Sequence, residues 1–184
     1  MESLNFGTFL KKAYYYQNMK KAFLFMMLVA ASNLLHAQTA KYQSVFIYSF
    51  TRYIVWPEAQ NSGDFEILVL GDSPIVEALQ QMAQSKKVGE RPIKVSKINT
   101  VAEIRKANIL FVSAGKAAEI ENVLNKVNTQ PILVVTEEPG LGAKGSNINF
   151  INKDGKLAFE LNQAAMTKRN LKASTELSRL AIMI

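Results

Sequence analysis

Residues 147–162 read NINFINKDGKLAFELN, and this stretch restricts the possible folds more than any other part of the chain. Asp154-Gly155 is a turn pair that tolerates positive φ and matches the twist of flanking strands. Apolar residues alternate on both sides of it, as in a half-buried β-hairpin. Counting outward from the turn, Lys153 faces Lys156, Phe150 faces Phe159 and Ile148 faces Leu161. The aromatic and aliphatic residues share one face, which has to be covered. The other face sets Asn149 against Glu160 and Asn147 against Asn162. That cluster of amides and one carboxylate is either a recognition surface or a set of cross-strand hydrogen bonds that holds the register.

What precedes the hairpin says what covers it. Lys41 to Trp56 carries aromatics at Tyr42, Phe46, Phe50 and Tyr53, a helical spacing, and Val45, Ile47, Tyr48 and Ile54 make much of the remaining surface apolar. Such a helix is central to a core or lies against a partner. Pro57 stops it, because the residue before proline is pushed out of the helical region. Phe65 to Gly71 is a short apolar strand, and Asp72-Ser73-Pro74 opens a helix that runs to about Lys86. Arg91 to Ile98 alternates as a strand, and Val101 to Ala107 is a short helix. Asn108 to Ser113 and Gln130 to Val135 are continuous apolar runs of strands covered on both faces, separated by a helix over Lys116 to Val127. This alternation predicts an α/β fold with a mostly parallel, Rossmann-like sheet in three layers. The antiparallel hairpin extends that sheet, and Gln163 to Ile184 forms a helical tail anchored by Leu171, Leu177, Leu180 and Ala181.

The N-terminal part has another purpose. Met19 begins MKKAFLFMMLVAASNLLHAQ, in which Lys20 and Lys21 precede an apolar run from Ala22 to Ala31 and a small residue at Ala37. This is the pattern of a secretory signal peptide over residues 19–37, with residues 1–18 an upstream extension and Gln38 the first mature residue. The polar break at Ser32-Asn33 argues against an uncleaved membrane anchor. Residues 38–184 then form a single domain of 147 residues. It has no cysteine, and the only histidine, His36, leaves with the leader. Eighteen basic side chains face fourteen acidic ones, a charge of +4, too dilute for a nucleic-acid surface. A zinc, copper or haem site of the usual kind, a thiol nucleophile and an imidazole base are all excluded. No cofactor is expected, and the prior for an enzyme falls.

The remaining chemical signals are weak. Gly140-Leu141-Gly142-Ala143-Lys144-Gly145 matches a dinucleotide fingerprint in letters only, since it leads into a strand where the fingerprint needs a helix. The strand-to-helix switch at Gly71, Asp72 and Ser73 is where open α/β sheets bind ligands, but Asp72 would repel a phosphate, and helix capping is the stronger reading. Glu137 and Glu138 are adjacent on an extended chain and point apart, so they do not form an acid/base pair. Trp56, the only tryptophan, is either an interface anchor or a core plug.

Taken in order, these residues resemble the YfiR family of periplasmic regulatory proteins. The resemblance runs from Tyr42 to Ala181. It is carried by Trp56-Pro57, by Ile67-Leu68-Val69-Leu70-Gly71-Asp72 before Pro74, and by Val88-Gly89 with Arg91-Pro92. Ile109-Leu110-Phe111-Val112-Ser113 follows, and the closest section is Ile148-Asn149-Phe150, Asp154-Gly155-Lys156, Phe159-Glu160-Leu161-Asn162 and Leu171-Lys172-Ala173-Ser174. The resemblance implies a secreted regulator that binds the periplasmic domain of a membrane diguanylate cyclase or sensor kinase. It also implies sequestration by an outer-membrane lipoprotein and a homodimer. The best-known member carries disulfides linked to redox state; this chain has no cysteine, so a thiol switch cannot operate. The partner-binding residues expected are Tyr53, Trp56, Asn149 and Glu160. The alternative is a small-ligand binding protein of the envelope, using a crevice at Gly71, Asp72 and Ser113. A carboxylate hydrolase built on Glu137, Glu138 and Glu160 ranks last.

Overall fold

The computed structural model describes Phe23, Met27 and residues 38–184. The leader and upstream extension expected over residues 1–37 otherwise lie outside the described residues. Residues 39–184 form one compact unit.

Helix α1 spans residues 38–53. It stops three residues before Trp56, earlier than the aromatic spacing predicts. Ile54–Val55 is instead a short strand, β1. Its β-branched residues favour extended backbone, and it pairs antiparallel with a tail strand, Ile54 opposite Ala173. Next come β2 (Phe65–Leu70), α2 (Ile75–Ser85), β3 (Lys87–Val88) and β4 (Arg91–Ile98). The helix predicted over Val101–Ala107 is only a 3-10 turn at Val101–Glu103, held because Glu103 Oε1 accepts from the Thr100 N–H (2.9 Å) and hydroxyl (2.8 Å). Then follow β5 (Ile109–Val112), α3 (Ile120–Val127), β6 (Leu133–Thr136), β7 (Ile148–Lys153) and β8 (Lys156–Leu161).

The main sheet has the order β10-β8-β7-β6-β5-β2-β4-β3, β10 (Ile182–Met183) being the last tail strand. Strands β4, β2, β5, β6 and β7 run parallel, and β8 returns antiparallel. The hairpin register matches the sequence reading pair for pair, from Lys153 opposite Lys156 to Ile148 opposite Leu161. Its turn has Asp154 at φ +52° and Gly155 at φ +76°, which an Asp-Gly pair supplies at little cost.

Each central strand sends alternate residues to two separate cores. Ile67, Val69, Ile109, Phe111, Leu133 and Val135 face α1, α2 and the tail, while Leu68, Leu70, Leu110, Val112 and Val134 face α3. This is the three-layer α/β arrangement read from the two-sided apolar runs. On the α1 side, Phe46 and Phe50 meet Phe150 and Phe159 of the hairpin, with ring centroids 5.3–6.1 Å apart. The aromatic row of α1 therefore splits. Its middle rings enter the core, and Tyr42 and Tyr53 at its ends are exposed.

The tail is not one helix. Helix α4 (Gln163–Lys168) is capped by Asn162, whose Oδ1 accepts from the Ala165 N–H at 2.8 Å, and left-handed Asn170 follows it. Strand β9 (Lys172–Ala173) then pairs with β1, α5 (Thr175–Leu180) is capped by Ser174, and β10 (Ile182–Met183) joins β8 in parallel. Leu171 and Leu177 anchor the tail in the core, but Leu180 points to solvent.

Candidate functional site

The hairpin cluster lies where the end of β6 meets the start of β7. Asn149 sits beside Thr136 in register and opposite Glu160. Its Nδ2 donates to Glu160 Oε2 at 2.9 Å, and its Oδ1 lies 2.7 Å from Thr136 Oγ1. Thr136 Oγ1 is also 2.9 Å from Ser146 Oγ, and Ser146 Oγ is 2.9 Å from the Leu141 carbonyl. The carboxylate can only accept, so it fixes the orientation of the Asn149 amide. The two hydroxyls then supply two protons to three contacts. Thr136, Ser146, Asn147 and Asn149 are all fully buried. Chemically the cluster is an internal network joining three strands, and it presents only Glu160 towards the surface. Of that carboxylate, only Oε2 carries a hydrogen bond among the described residues.

The glycine-rich loop closes over this network. A Cβ on Gly142 would lie 2.5 Å from Glu160 Oε2 and 2.7 Å from Ile184 Cδ1. Gly142 is thus required by a close approach rather than by backbone freedom alone. Asn162 Nδ2 donates to the Gly142 carbonyl at 2.9 Å. Arg169 supports the loop from below, with Nη1 donating to the carbonyls of Gly145 (3.3 Å) and Ala165 (3.4 Å). It is buried, and burial pushes its pKa down from the ordinary guanidinium value. Its Nε has no hydrogen-bond partner among the described residues.

At the switch, Gly71 and Ser113 are buried and closely packed, and Asp72 is exposed. Gly71 has φ +88°, and a Cβ there would collide with Ser113 Oγ and come within 2.6 Å of Lys116 Cγ. Ser113 is buried and its hydroxyl makes no hydrogen bond. Asp72 does not cap α2. It pairs with Lys97, whose hydrogen bond and charge hold its carboxyl below the usual carboxylate range. Ser73 Oγ accepts from the Ile75 N–H at 3.3 Å instead. Glu137 also has a structural position, accepting from Gln43 Nε2 (2.9 Å) and the Ala114 N–H (3.1 Å) and so tying α1 to the sheet.

Trp56 and Tyr53 part company. Trp56 is only 7% exposed, stands edge-on to Phe65 with centroids 5.4 Å apart, and donates its indole N–H to the Asn108 carbonyl at 3.2 Å. Tyr53 is 36% exposed at the end of α1, with the Arg52 guanidinium 6.0 Å from its ring centroid. Val55 (63% exposed) follows it on β1, and Val45 (58% exposed) lies on the outward face of α1.

Two residues that organise the molecule carried no local signal. One is Arg169. The other is buried Asn108, whose Oδ1 accepts from the Glu66 N–H (3.1 Å) and Arg91 Nη2 (3.2 Å), while its carbonyl takes Trp56 and Leu133. Apart from Ala165, four residues from Arg169, their partners are distant in sequence. A shallow depression of about 190 Å³ opens beside Asn108, lined by Gln60, Ser62, Asp64, Glu66 and Lys106. Among the described residues no group of three or more carboxylate, histidine or cysteine side chains could hold a metal ion. No described helix is long and apolar enough to cross a membrane.

No curated protein matches the chain. A family model described as DUF4154, YfiR/HmsC-like, matches residues 40–182, from within α1 to the first residue of β10. The chain belongs to the YfiR/HmsC-like family, known as periplasmic regulators of cyclic-di-GMP signalling.

Proposed function

We propose that the chain is exported, with residues 19–37 as a cleaved signal peptide, and that residues 38–184 bind the extracytoplasmic domain of a membrane diguanylate cyclase or sensor histidine kinase and hold it inactive. The observation that carries this reading is the family match over residues 40–182. An exposed apolar strip supports it, formed by Tyr42, Val45 and Tyr53 on α1 and Val55 on β1. Aromatic side chains at such a surface supply most of the energy of a protein interface. Tyr53 is the contact residue in this reading. Glu160, oriented by Asn149, is a second, polar contact. An outer-membrane lipoprotein that competes for the same surface, and a homodimer, complete the proposal.

The test is capture. Tagged residues 38–184 are incubated with detergent-solubilised membranes of the source cell, and bound proteins are identified by mass spectrometry. Recovery of a membrane cyclase or kinase, with cellular cyclic-di-GMP or kinase output rising when the gene is deleted, supports the reading. A folded bait that recovers neither, with unchanged output in the deletion strain, sinks it.

A further inference from the structure

The edge of the main sheet at β4 is open and carries two exposed lysines, Lys94 and Lys97. On its inner side β4 pairs with β2 from Ile93 to Ile98. On its outer side β3 reaches only Arg91 and Pro92. The Ile98 carbonyl accepts from the Gly71 N–H at 2.9 Å and so faces β2. Backbone polar groups alternate in direction along a strand, so those of Ile93, Val95 and Lys97 face outward. Ile93 adjoins the β3 pairing at Pro92, and among the described residues Val95 and Lys97 have no backbone partner on that side. The opposite edge is more fully closed, because β10 pairs with Glu160 and Leu161 and leaves only residues 156–159 of β8 open.

Charge separates these edges further. Residues 86–106 hold seven basic side chains (Lys86, Lys87, Arg91, Lys94, Lys97, Arg105 and Lys106) against Glu90 and Glu103, a net +5, while all of residues 38–184 carry +4. Lys94 and Lys97 flank the open edge on its two faces, since Ile93 and Val95 belong to the core under α2 and Ile98 to the core under α3. Their partners, Glu66 and Asp72, lie on the inner side, on β2 and the turn after it. Both lysines are well exposed, and ion pairs of this kind exchange at little cost.

We propose that the β4 edge receives an extended, acidic segment of a protein partner, which adds to the sheet as a further strand. Strand addition takes its affinity from main-chain hydrogen bonds and its selectivity from the flanking side chains. Lysine on an edge normally guards against pairing with another copy. Here a second copy would set one +5 segment against another, whereas an acidic strand meets a lysine on each face. The inference rests on the reading that the chain acts by binding a protein, and it names the place and the chemistry.

The probes are an octapeptide of alternating valine and glutamate and its valine–lysine counterpart, added to the exported chain. Binding is read by fluorescence anisotropy at low and high salt, and the location by amide hydrogen exchange. The expected result is at least tenfold tighter binding of the acidic peptide, weakened by salt, with exchange slowed at Val95 and Lys97. Val95→Pro removes one outward N–H at an edge position that tolerates proline and should abolish binding without changing the circular dichroism spectrum. Equal binding of both peptides, slowing at β8 instead, or concentration-dependent slowing at β4 without peptide, the mark of a second copy, overturns the proposal. A captured membrane partner that leaves Val95 exchange unchanged overturns it while the proposed function stands. Selective protection of β4 by the acidic peptide upholds it even where capture recovers nothing.

Discussion

Replacing Trp56 distinguishes a core plug from an interface anchor. At 7% exposure, with its ring against Phe65 and its N–H on the Asn108 carbonyl, the indole is an interior group. Trp56→Ala leaves a cavity under the end of α1, and such truncations cost about 3–5 kcal/mol. Trp56→Phe keeps most of the buried ring and removes one hydrogen bond, about 1 kcal/mol. The Asn108 carbonyl is not orphaned by that change, because it still accepts from the Leu133 N–H at 2.9 Å. With the lost volume included, the phenylalanine variant should lose about 2 kcal/mol, roughly half the alanine loss.

Urea unfolding followed by far-ultraviolet circular dichroism measures both. Taking a slope of about 2 kcal/mol per M for a domain of this size, the midpoint should fall by about 2 M for alanine and about 1 M for phenylalanine, with the slope unchanged. Trp56 is the only tryptophan in the chain, so wild-type fluorescence gives a second readout. Its native emission should be blue-shifted and poorly quenched by iodide. A Trp56→Ala midpoint within about 0.3 M of wild type, the range of a surface substitution, together with free quenching of the native protein, would refute the interior placement. Stability of a domain is typically about 5–15 kcal/mol. The phenylalanine variant therefore stays folded and can be used in the capture assay, where it should retain binding while Tyr53→Ala loses it.

Three further outcomes follow from the contacts. Phe159→Ala opens the aromatic cluster and should cost about 3–5 kcal/mol, and a Phe50/Phe159 double-mutant cycle should return a coupling of about 0.5–1.5 kcal/mol for their edge-on pair at 5.3 Å. Near-zero coupling would mean the rings do not meet. Gly142→Ala pushes on the movable ends of Glu160 and Ile184 rather than on backbone, so the fold should survive with a loss of about 1–2 kcal/mol as the buried Asn149 amide loses its acceptor; an unchanged thermal midpoint counts against the close approach. Glu103 has its pKa lowered by the Thr100 hydroxyl first and by the backbone N–H groups of Asn99 and Thr100 next. A folded-state pKa below the unfolded one means that the contribution of Glu103 is present above the ordinary carboxylate range and is lost as pH falls through the depressed value. A side-chain NMR titration should find that low midpoint in wild type and a rise in Thr100→Val, and equal midpoints in the two would remove the capping hydroxyl as its cause.

The parts of the fold legible in the sequence are those written in local chemistry. Asp154-Gly155 fixes one turn type, and the turn fixes the register of Phe150 with Phe159. The runs through Ile109–Val112 and Leu133–Thr136 lack alternation because both of their faces are covered. The tail shows where local reading stops. A two-residue strand has no period, so β9 and β10 were invisible, and Leu171 and Leu177 fit a helix as well as they fit two separate anchors. The same limit applies to the site. Asn108 takes the Trp56 indole and Arg169 the Gly145 carbonyl, contacts 52 and 24 residues apart in sequence that no local pattern shows.

These placements bear on how the chain can act. Asn149 and Trp56, two of the four residues expected to meet a partner, are interior, and Gly71 and Ser113 are buried. The polar groups that drew notice as chemistry, Asn149, Glu160, Glu137 and Asp72, are engaged with other parts of the same chain. Groups committed in this way hold a shape, and a shape held rigidly suits binding, because little ordering entropy remains to be lost on association. Two features remain turned to solvent: the apolar side chains of Tyr53 and Val55, and the outer backbone edge of β4. A partner using the strip alone should bind almost independently of salt, since apolar burial is not screened. A partner that also adds a strand to β4 should lose affinity as salt rises, because exposed Lys94 and Lys97 flank that edge. The salt dependence of the captured complex, set beside the effect of Tyr53→Ala, therefore separates the two surfaces.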